Sequence, residues 1–375
     1  MSKIAIAGDF APTKSNESDI ISGSTEVILG KELAEFIGDC TFVGINLETS
    51  LADQESPKLK RGQINRASTS IAAFLNRANI DMCFLANNHV IDSGNPGVES
   101  TLKALDQNGI KHIGAGRTES EAKQCYYLEV DGKKIGLYNV ANYEFNRVSD
   151  SEYGANTYDP LVTFDEIEEA AKHCDYLIVV YHGGLEYYRY PTPELQRICR
   201  KMADKGAKLV TCQHSHCIGT YEQYNGATIV YGQGNFLFDD SDKDEEKSAI
   251  ILEIDAENEN VKFVPVVKDK HLVRMATKED AEGILEMLES RHDEISAPGA
   301  VESKFKQYCL THQHEPLRAL TGYNKCYRAL NKLTGGKFQD HIFNKKNRMR
   351  IYNMLETPVH LEVLQGVMKQ YEDQK

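Results

Sequence analysis

Short apolar runs of this chain repeatedly end at side chains that are able to bind a metal ion. Lys3–Ala7 leads to Asp9, for example, and Tyr176–Tyr181 leads to His182. Further runs end in the same way, at the following residues: Asn46 and Glu48, Asn87 to His89, His214 and His216, and Asn235. Short β-rich runs with polar or glycine boundaries are typical of buried strands, and active sites of α/β folds gather where such strands end. The sequence therefore predicts a single polynuclear metal site.

Strand and helix patterns alternate from the first apolar run to about residue 267. Phe164–Cys174 and Pro193–Lys205 have helical patterns before strands, whereas Asp131-Gly132 between two apolar runs predicts a hairpin. This mixture of βα units and hairpins favours a layered α/β sandwich over a purely parallel sheet. The later pattern is helical with glycine and proline breaks. We therefore predict one domain over residues 1–267 and a helical C-terminal extension over 268–375.

The charge of the chain limits its partners. The formal net charge is -13, from 43 basic and 56 acidic residues. A nucleic-acid partner is not expected, because contacts to phosphates need clustered lysine and arginine. An anionic substrate, small or polymeric, remains compatible, since two bound divalent cations can reverse the local charge. A C-terminal basic patch at Lys345, Lys346, Arg348 and Arg350 fits either a solvated helix face or a ligand site.

The cysteines and the apolar runs predict a cytoplasmic protein. There are nine cysteines without paired spacing, and several lie inside apolar runs, as is typical of reduced buried thiols. No apolar run approaches the roughly 20 residues that span a bilayer, so we expect no transmembrane segment. The first residues enter a strand pattern without the basic and apolar regions of a signal peptide.

The candidate ligands differ in how strongly each points to a metal. His214-Ser215-His216 follows a strand pattern directly, and a turn must intervene if both imidazoles are to face one site. Alone, such a pair can be incidental, and a single histidine such as His182 would be unremarkable. Together with Asp9, Glu48 and Asn88, these histidines form a mixed set of carboxylate, amide and imidazole donors. Such a set suits Mn, Fe or Zn rather than a thiolate-rich structural zinc site.

These residues, in this order, resemble the CapA family, the bacterial poly-γ-glutamate capsule synthesis proteins. That family is a branch of the calcineurin-like metallophosphoesterase superfamily. The resemblance covers about Lys3 to Asp239 and depends on these motifs: Gly8-Asp9, Asn46-Leu47-Glu48, Ala86-Asn87-Asn88-His89, His182 to Tyr187, His214-Ser215-His216 and Gly234-Asn235-Phe236. It implies a four-layer αββα sandwich with a dinuclear site at the strand ends. The last hundred residues lie outside it.

The resemblance also implies a role for each matched residue, with two divalent ions as cofactors. Asp9 and His216 would hold the first ion, and Glu48 would bridge both ions. The ligands of the second ion would be Asn88, His182 and His214. His89 would lie just outside this shell, facing the phosphate, and could protonate the leaving oxygen. His89 and Asn88 are therefore the predicted catalytic residues.

Seven further residues are predicted to orient ligands or to contact substrate: Asn46, Asn87, Asp92, Glu186, Asn235, Arg61 and Arg66. Glu186 could equally be a surface glutamate, and Asp92 and Asn235 could simply shape turns. The loop Lys58–Arg66 holds both arginines. It could receive anionic groups of a substrate, or it could be an ordinary solvated loop.

The chain departs from the family pattern at important positions. The superfamily has a histidine two residues after the first aspartate, where this chain has Ala11, so one ion loses an imidazole. Relatives usually have glycine and proline where this chain has Cys212 and Ser215; Cys212 could be a packed thiol or a ligand.

The function predicted from these residues is a metal-dependent hydrolase, with a phosphoester as substrate. By resemblance it would act in capsule, poly-γ-glutamate or polysaccharide biosynthesis, where other capsule-synthesis proteins could be its partners. The alternative is a non-catalytic or weakly catalytic accessory protein in the synthesis of a polyanionic polymer. Ala11 is the main argument for that alternative.

Overall fold

The computed structural model describes residues 2–54, 63–144, 146–149, 152–238, 243–269, 272–322 and 324–369. The chain forms two compact units, which divide between Lys304 and Phe305. This division comes later than the boundary predicted after residue 267. The reason is that the helix after residue 277 buries Ile284 and Leu288 in a hydrophobic cluster of the first unit.

The first unit contains the strands of the described residues and, among these residues, nine α-helices that lie wholly within it. The strands are β1 (Lys3–Phe10), β2 (Phe42–Leu47), β3 (Ser50–Leu51), β4 (Arg66–Ala67), β5 (Met82–Phe84), β6 (Lys111–Ile113), β7 (Ala115–Gly116), β8 (Tyr126–Val130), β9 (Lys133–Ala141), β10 (Gly154–Ala155), β11 (Tyr176–His182), β12 (Ala207–Gln213), β13 (Tyr221–Tyr224), β14 (Ala227–Val230), β15 (Asn235–Leu237), β16 (Ser248–Asp255), β17 (Val261–Asp269) and β18 (Leu272–Met275). The helices are α1 (Glu17–Ser22), α2 (Thr25–Leu29), α3 (Lys31–Gly38), α4 (Ile71–Arg77), α5 (Gly94–Gln107), α6 (Glu119–Ala122), α7 (Thr163–Ala171), α8 (Pro193–Asp204) and α9 (Lys278–Ser296).

Two sheets organise the first unit. Within the described ranges, the larger sheet has the strand order β18-β17-β16-β1-β2-β5-β6, with β15 also paired to β1. The smaller sheet has the order β13-β14-β12-β11-β9-β8. The neighbours β1, β2, β5 and β6 are parallel, as are β9, β11, β12 and β14. The carboxyl ends of parallel neighbours lie at one edge of a sheet, which is where ligand sites of α/β folds form.

Three hydrophobic layers hold the sheets and helices together. Ile6 of β1 and Val180 of β11 belong to one cluster, which lies between the two sheets. On the outer side of the larger sheet, Phe10 stacks against Phe74 of α4. On the outer side of the smaller sheet, the core includes Met202 of α8. This arrangement of helices, two sheets and helices confirms the predicted four-layer αββα sandwich.

Local patterns in the sequence correspond to elements of the structure. Strands β8 and β9 form the predicted antiparallel hairpin, with Asp131 at φ 51° and Gly132 at φ 76°. Two positive φ values are required by the tight type I′ turn, which explains the Asp-Gly pair. Thr192 caps helix α8, which begins at Pro193, and its side chain accepts a hydrogen bond from Leu195 N. A threonine cap followed by proline is a common helix start.

The second unit is helical in its described part, as the sequence predicts. Helix α10 (Ala300–Thr311) begins before the division at Lys304 and continues after it. The helices that follow are α11 (His314–Ala319), α12 (Lys325–Leu333), α13 (Lys337–Ile342), α14 (Lys345–Glu356) and α15 (Pro358–Lys369). The basic patch of Lys345, Lys346, Arg348 and Arg350 is exposed on α14. None of the helices in the ranges given above combines the length and the apolar character needed to cross a membrane.

Helix α9 provides a test of the core packing. Leu288 is fully buried, whereas the neighbouring Met287 is 48% exposed. We expect Leu288→Ala to lower the free energy of unfolding by about 2–5 kcal/mol, because it removes a buried side chain and leaves a cavity. Met287→Ala, the matched control, should change it by no more than about 0.5 kcal/mol. Urea denaturation of both variants measures the difference, and equal midpoints would show that α9 does not contribute to this core.

Candidate metal centre

Candidate ligands from both sheets meet at the carboxyl ends of their parallel strands. Asp9 lies near the end of β1, Glu48 directly follows β2, and His182 ends β11. His214 directly follows β12, and His216 lies two residues further on. All five side chains are buried in the structure. The structure thus brings together residues that are up to 207 positions apart in the chain.

The ligand atoms of these residues form two groups that share one carboxylate. Glu48, His182 and His214 form one group, and Asp9, Glu48 and His216 form the other. Within each group the ligand atoms lie within 4.8 Å of one another. Asn88 adds its Oδ1 to the first of these groups, at 3.0 Å from His182 Nε2. Glu48 therefore occupies the position that a bridging carboxylate would need.

An unusual backbone conformation directs both histidines of the His-Ser-His motif to the same side. His214 has φ 87° and His216 has φ 56°, both in the left-handed region. Such conformations cost about 1–3 kcal/mol each for residues other than glycine and persist where the surroundings enforce them. His214 N also donates to Asp9 Oδ2 at 3.1 Å. The turn that the sequence required is thus built from strained backbone and tied to a candidate ligand.

Asparagine side chains hold several candidate ligands in position. Asn46 Nδ2 donates to Asp9 Oδ1 at 2.8 Å and lies 3.1 Å from His182 Nδ1. Asn235 Oδ1 lies 2.9 Å from His216 Nδ1. Asn87 Nδ2 donates to Asn46 Oδ1 at 3.2 Å. In metal sites, contacts of this kind fix the orientation of ligands and their tautomers. The supporting role of these asparagines stays a prediction.

His89 lies beside the two groups without belonging to either. Its Nε2 is 3.9 Å from Glu48 Oε1, and its Nδ1 is 2.6 Å from Asp92 Oδ2. Asp92 is fully buried and also accepts a hydrogen bond from Asn65 N at 2.6 Å. In addition, Asp92 N donates to His89 O at 3.2 Å. Asp92 therefore both shapes the turn and fixes the imidazole, so that Nε2 is directed toward the centre.

The buried charges of the centre perturb one another strongly. Burial, followed by the charge of Glu48, raises the pKa of Asp9 to about 6. Burial acts in the same direction on Glu48, but His216 and His182 hold the pKa of that carboxyl well below its usual range. Burial and the neighbouring His182 lower the pKa of His214 well below its ordinary value. Two carboxylates are thus buried close together, and a divalent cation between them would neutralise their charge.

Buried polar atoms without hydrogen-bond partners indicate whether the residues fit a metal ion. Glu48 Oε1 and Oε2 and His214 Nδ1 are buried and have no hydrogen-bond partner among the described residues. A buried ionised carboxylate without compensation is costly, and metal coordination is one of the ways in which proteins compensate it. A mixed set of carboxylate, amide and imidazole donors suits divalent first-row metals. The residues present therefore fit metal ions.

Other predicted residues have more ordinary surroundings. Cys212 packs in the outer core with its sulfur 3.5 Å from that of Cys199, which agrees with a packed thiol. Glu186 is exposed and forms no hydrogen bond with a described residue. Burial opposes the charged form of His216, but Glu48 and Asp9, with Glu186 as a smaller cause, raise its pKa. Arg66 donates to Ala52 O at 2.8 Å. Arg61 lies outside the described residues. The roles assigned to Glu186, Arg61 and Arg66 remain predictions.

Glu144, which contacts the centre, and Arg291, which contacts the segment after the His-Ser-His motif, are not among the residues predicted from the sequence. Glu144 Oε1 lies 3.4 Å from His214 Nε2, and Glu144 Oε2 accepts from Asn88 Nδ2 at 3.4 Å. Glu144 follows β9, an apolar strand beside β11, so the rule of polar residues after apolar runs could have found it. Arg291 of α9 donates to Ile218 O at 2.8 Å and to Gly219 O at 3.1 Å, just after the His-Ser-His motif. No local signal marks Arg291.

Known proteins share the region that carries this centre. PGA biosynthesis protein CapA of Bacillus subtilis (strain 168) is 31% identical over 206 residues, which are 53% of this chain and 53% of that protein. Capsule biosynthesis protein CapA of Bacillus anthracis is 24% identical over 218 residues, 56% of this chain and 53% of that protein. The chain thus spans about half the length of these relatives.

A comparison with solved structures finds similarity to a crystal structure described as a novel phosphatase of Mycoplasma pneumoniae. It is 14% identical, with a TM-score of 0.45, and covers 72% of this chain and 94% of its own. Residues 3–240 of the chain match the family described as bacterial capsule synthesis protein PGA_cap. This match includes every candidate ligand from Asp9 to His216 and more than half of the chain, and it shows that the chain belongs to the PGA_cap family of bacterial capsule synthesis proteins.

Proposed function

We propose that this chain is a metal-dependent hydrolase of the metallophosphoesterase type, with a phosphoester as substrate. The observation that carries this proposal is the pair of buried ligand groups that share Glu48, both of whose oxygens lack a hydrogen-bond partner among the described residues. The placement of His89 supports catalysis over a purely structural site. A structural site would not need a partly accessible imidazole beside the ligands, held by its own buried carboxylate.

Two divalent ions, of Mn, Fe or Zn, would occupy the centre. Asp9, Glu48 and His216 would hold the first ion. Glu48 would also serve the second ion, together with Asn88, His182 and His214. Bound divalent ions lower the pKa of a coordinated water and stabilise the charge that develops on a phosphoryl group.

We propose that a side chain, that of His89, donates the proton that the leaving group needs. His89 Nδ1 is engaged by Asp92, which leaves Nε2 on the side of Glu48 and the ligand groups. A histidine in this position can donate a proton to the departing oxygen, and such general acid catalysis typically contributes about 10²–10⁴-fold to the rate. Asn88, beside His89 in the chain, would hold the second ion and thereby orient the phosphoryl group.

The biological setting follows from the family. We propose that the substrate is an anionic small molecule or polymer met during capsule, poly-γ-glutamate or polysaccharide synthesis. The second candidate function is that of a weakly catalytic or non-catalytic accessory protein in the same process. The observation that favours it is Ala11, which is buried and donates from its backbone N to Leu237 O, so it supplies no imidazole to the first ion.

Metal loading and hydrolysis measured on the same protein separate the two candidates. The chain is reconstituted with Mn²⁺, Fe²⁺ or Zn²⁺, and its metal content is compared with hydrolysis of a phosphomonoester and a phosphodiester. Hydrolysis that requires the metal supports the hydrolase. Two equivalents of bound metal without hydrolysis of either substrate would exclude it in favour of the accessory protein.

We expect the two ions to bind with unequal affinity. Four side chains converge on the second position, namely Glu48, Asn88, His182 and His214, but only three converge on the first. A titration with Mn²⁺, followed by calorimetry, should resolve two dissociation constants that differ by about tenfold or more, which is about 1.4 kcal/mol. Two equal constants would show that another group replaces the imidazole absent at Ala11.

A further inference from the structure

Glu144 contacts two candidate ligands of the second ion at once, and nothing in the family pattern assigns it a role. We propose that Glu144 is a positioning residue, which orients His214 and Asn88 so that their ligand atoms face the second ion. This inference rests on the proposed function only in that a metal ion occupies the second position.

The two oxygens of Glu144 engage the atoms that the ion would not use. Oε1 is 3.4 Å from His214 Nε2, while the other ring nitrogen, Nδ1, is buried without a hydrogen-bond partner among the described residues. Oε2 accepts from Asn88 Nδ2 at 3.4 Å, while Asn88 Oδ1 lies 3.0 Å from His182 Nε2. A proton on His214 Nε2 would be attracted to the carboxylate, and Nδ1 would then keep its lone pair for the metal.

The loop after β9 is anchored so that Glu144 is held in this place. Glu144 N donates to Asn146 Oδ1 at 2.8 Å. Asn146 is fully buried, and its Nδ2 donates to Asn87 O at 3.0 Å, the residue directly before Asn88. At the start of the loop, Asn142 N donates to His182 O at 2.9 Å. The loop is thus tied to strand ends of both sheets, next to the ligands that Glu144 contacts.

Exposure distinguishes Glu144 from the ligands themselves. Its side chain is 41% exposed, whereas that of Glu48 is fully buried. Metal-bound histidines generally give their other N–H to a carboxylate, a carbonyl or water, and loss of that partner costs about 10–100-fold in metal affinity. The position of Glu144 at the rim, behind the imidazole, agrees with this supporting role.

The substitution Glu144→Gln tests the inference, because it keeps the shape of the side chain and removes its charge. We expect the affinity of the second ion for the variant to fall by about 10–100-fold, with two ions still bound at saturation. The tautomer of His214 provides a second readout. In ¹⁵N NMR of the metal-free protein, we expect the Nε2–H form of His214 in the wild type and a mixture of tautomers in Glu144→Gln.

Two further variants make the test specific. Glu129→Gln removes an equal charge from an exposed glutamate of β8 that lies outside the candidate metal centre, and it should leave the second ion within about threefold of its wild-type affinity. Glu144→Asp keeps the charge but shortens the reach, so it should lose affinity as Glu144→Gln does. The inference is overturned if Glu144→Gln leaves both the metal affinity and the His214 tautomer unchanged. It is also overturned if Glu129→Gln causes the same loss.

The test of Glu144 can succeed or fail independently of the test of the proposed function. A wild-type chain that binds two ions but hydrolyses nothing would refute the hydrolase, and the effect of Glu144→Gln on affinity would still support the inference. An active wild type whose Glu144→Gln variant binds both ions as tightly would refute the inference alone.

Discussion

Glu48→Gln is expected to abolish the binding of two ions and to reduce phosphoester hydrolysis at least about 100-fold. Removal of a residue that only supports a metal ligand costs up to about 100-fold in activity. We expect at least this loss for Glu48, because it belongs to both ligand groups. Glutamine keeps the volume of the side chain, but it places an amide N–H₂ where an anionic oxygen would have to meet two cations. Such a donor repels a metal ion, and the remaining ligands cannot move to compensate, because they are buried and hydrogen-bonded.

Glu48→Gln should also change the stability of the fold. The metal-free Glu48→Gln protein should unfold earlier than the metal-free wild type, because the fold favours the ionised form of Glu48 through His216 and His182, and glutamine removes that charge. Mn²⁺ at about 100 times the weaker of the two dissociation constants should stabilise only the wild type, by at least about 2.7 kcal/mol for each bound ion. Metal analysis and thermal unfolding with and without Mn²⁺ measure both effects.

Glu222→Gln is the matched control for these measurements. Glu222 is buried and pairs with Arg200 at 2.8 Å, outside the metal groups. Its substitution should weaken the fold, yet the stabilisation by Mn²⁺ should remain. If Glu48→Gln retained two tightly bound ions, the bridging position of Glu48 would be refuted.

His89→Gln is expected to lower kcat by about 10²–10⁴-fold while the metal content stays unchanged. His89 lies 3.9 Å from Glu48 Oε1 but belongs to neither ligand group, so its loss should affect the proton transfer and not the ions. The loss should depend on the leaving group. It should be large for an alkyl phosphoester, whose departing oxygen needs a proton, and small for a nitrophenyl ester, whose departing oxygen does not.

Two further variants test whether the loss in His89→Gln comes from proton transfer. Asp92→Asn, which keeps a side chain beside His89 but removes its charge, should lower kcat in the same direction by a smaller factor, because Asp92 acts through the imidazole. His112→Gln alters a histidine on β6 that pairs with Asp106, and it should leave kcat unchanged. Equal losses for both leaving groups, or a loss of bound metal in His89→Gln, would contradict the role of His89 as a proton donor.

The local patterns of the sequence predicted much of the architecture. Along β1, Ile4 and Ile6 face one core while Ala5 and Ala7 face another, which is the alternation expected of a strand buried on both sides. Turn and helix starts such as Asp131-Gly132 and Thr192 were equally readable, because their requirements concern only neighbouring residues. The boundary after residue 267 differed from the observed division, since nothing local indicates that α9 buries Leu288 against the first unit.

The sequence by itself determined the strand-forming runs and the donor atoms at their ends, because periodicity and side-chain chemistry are properties of short segments. Only the tertiary structure decided which ends meet. It placed Glu48 in both ligand groups, brought Asn46 to His182 across 136 positions of the chain, and directed the oxygens of Glu144 to His214 and Asn88. These distances depend on how two sheets pack across their shared core and on strained turns such as that of His214, which no local pattern specifies.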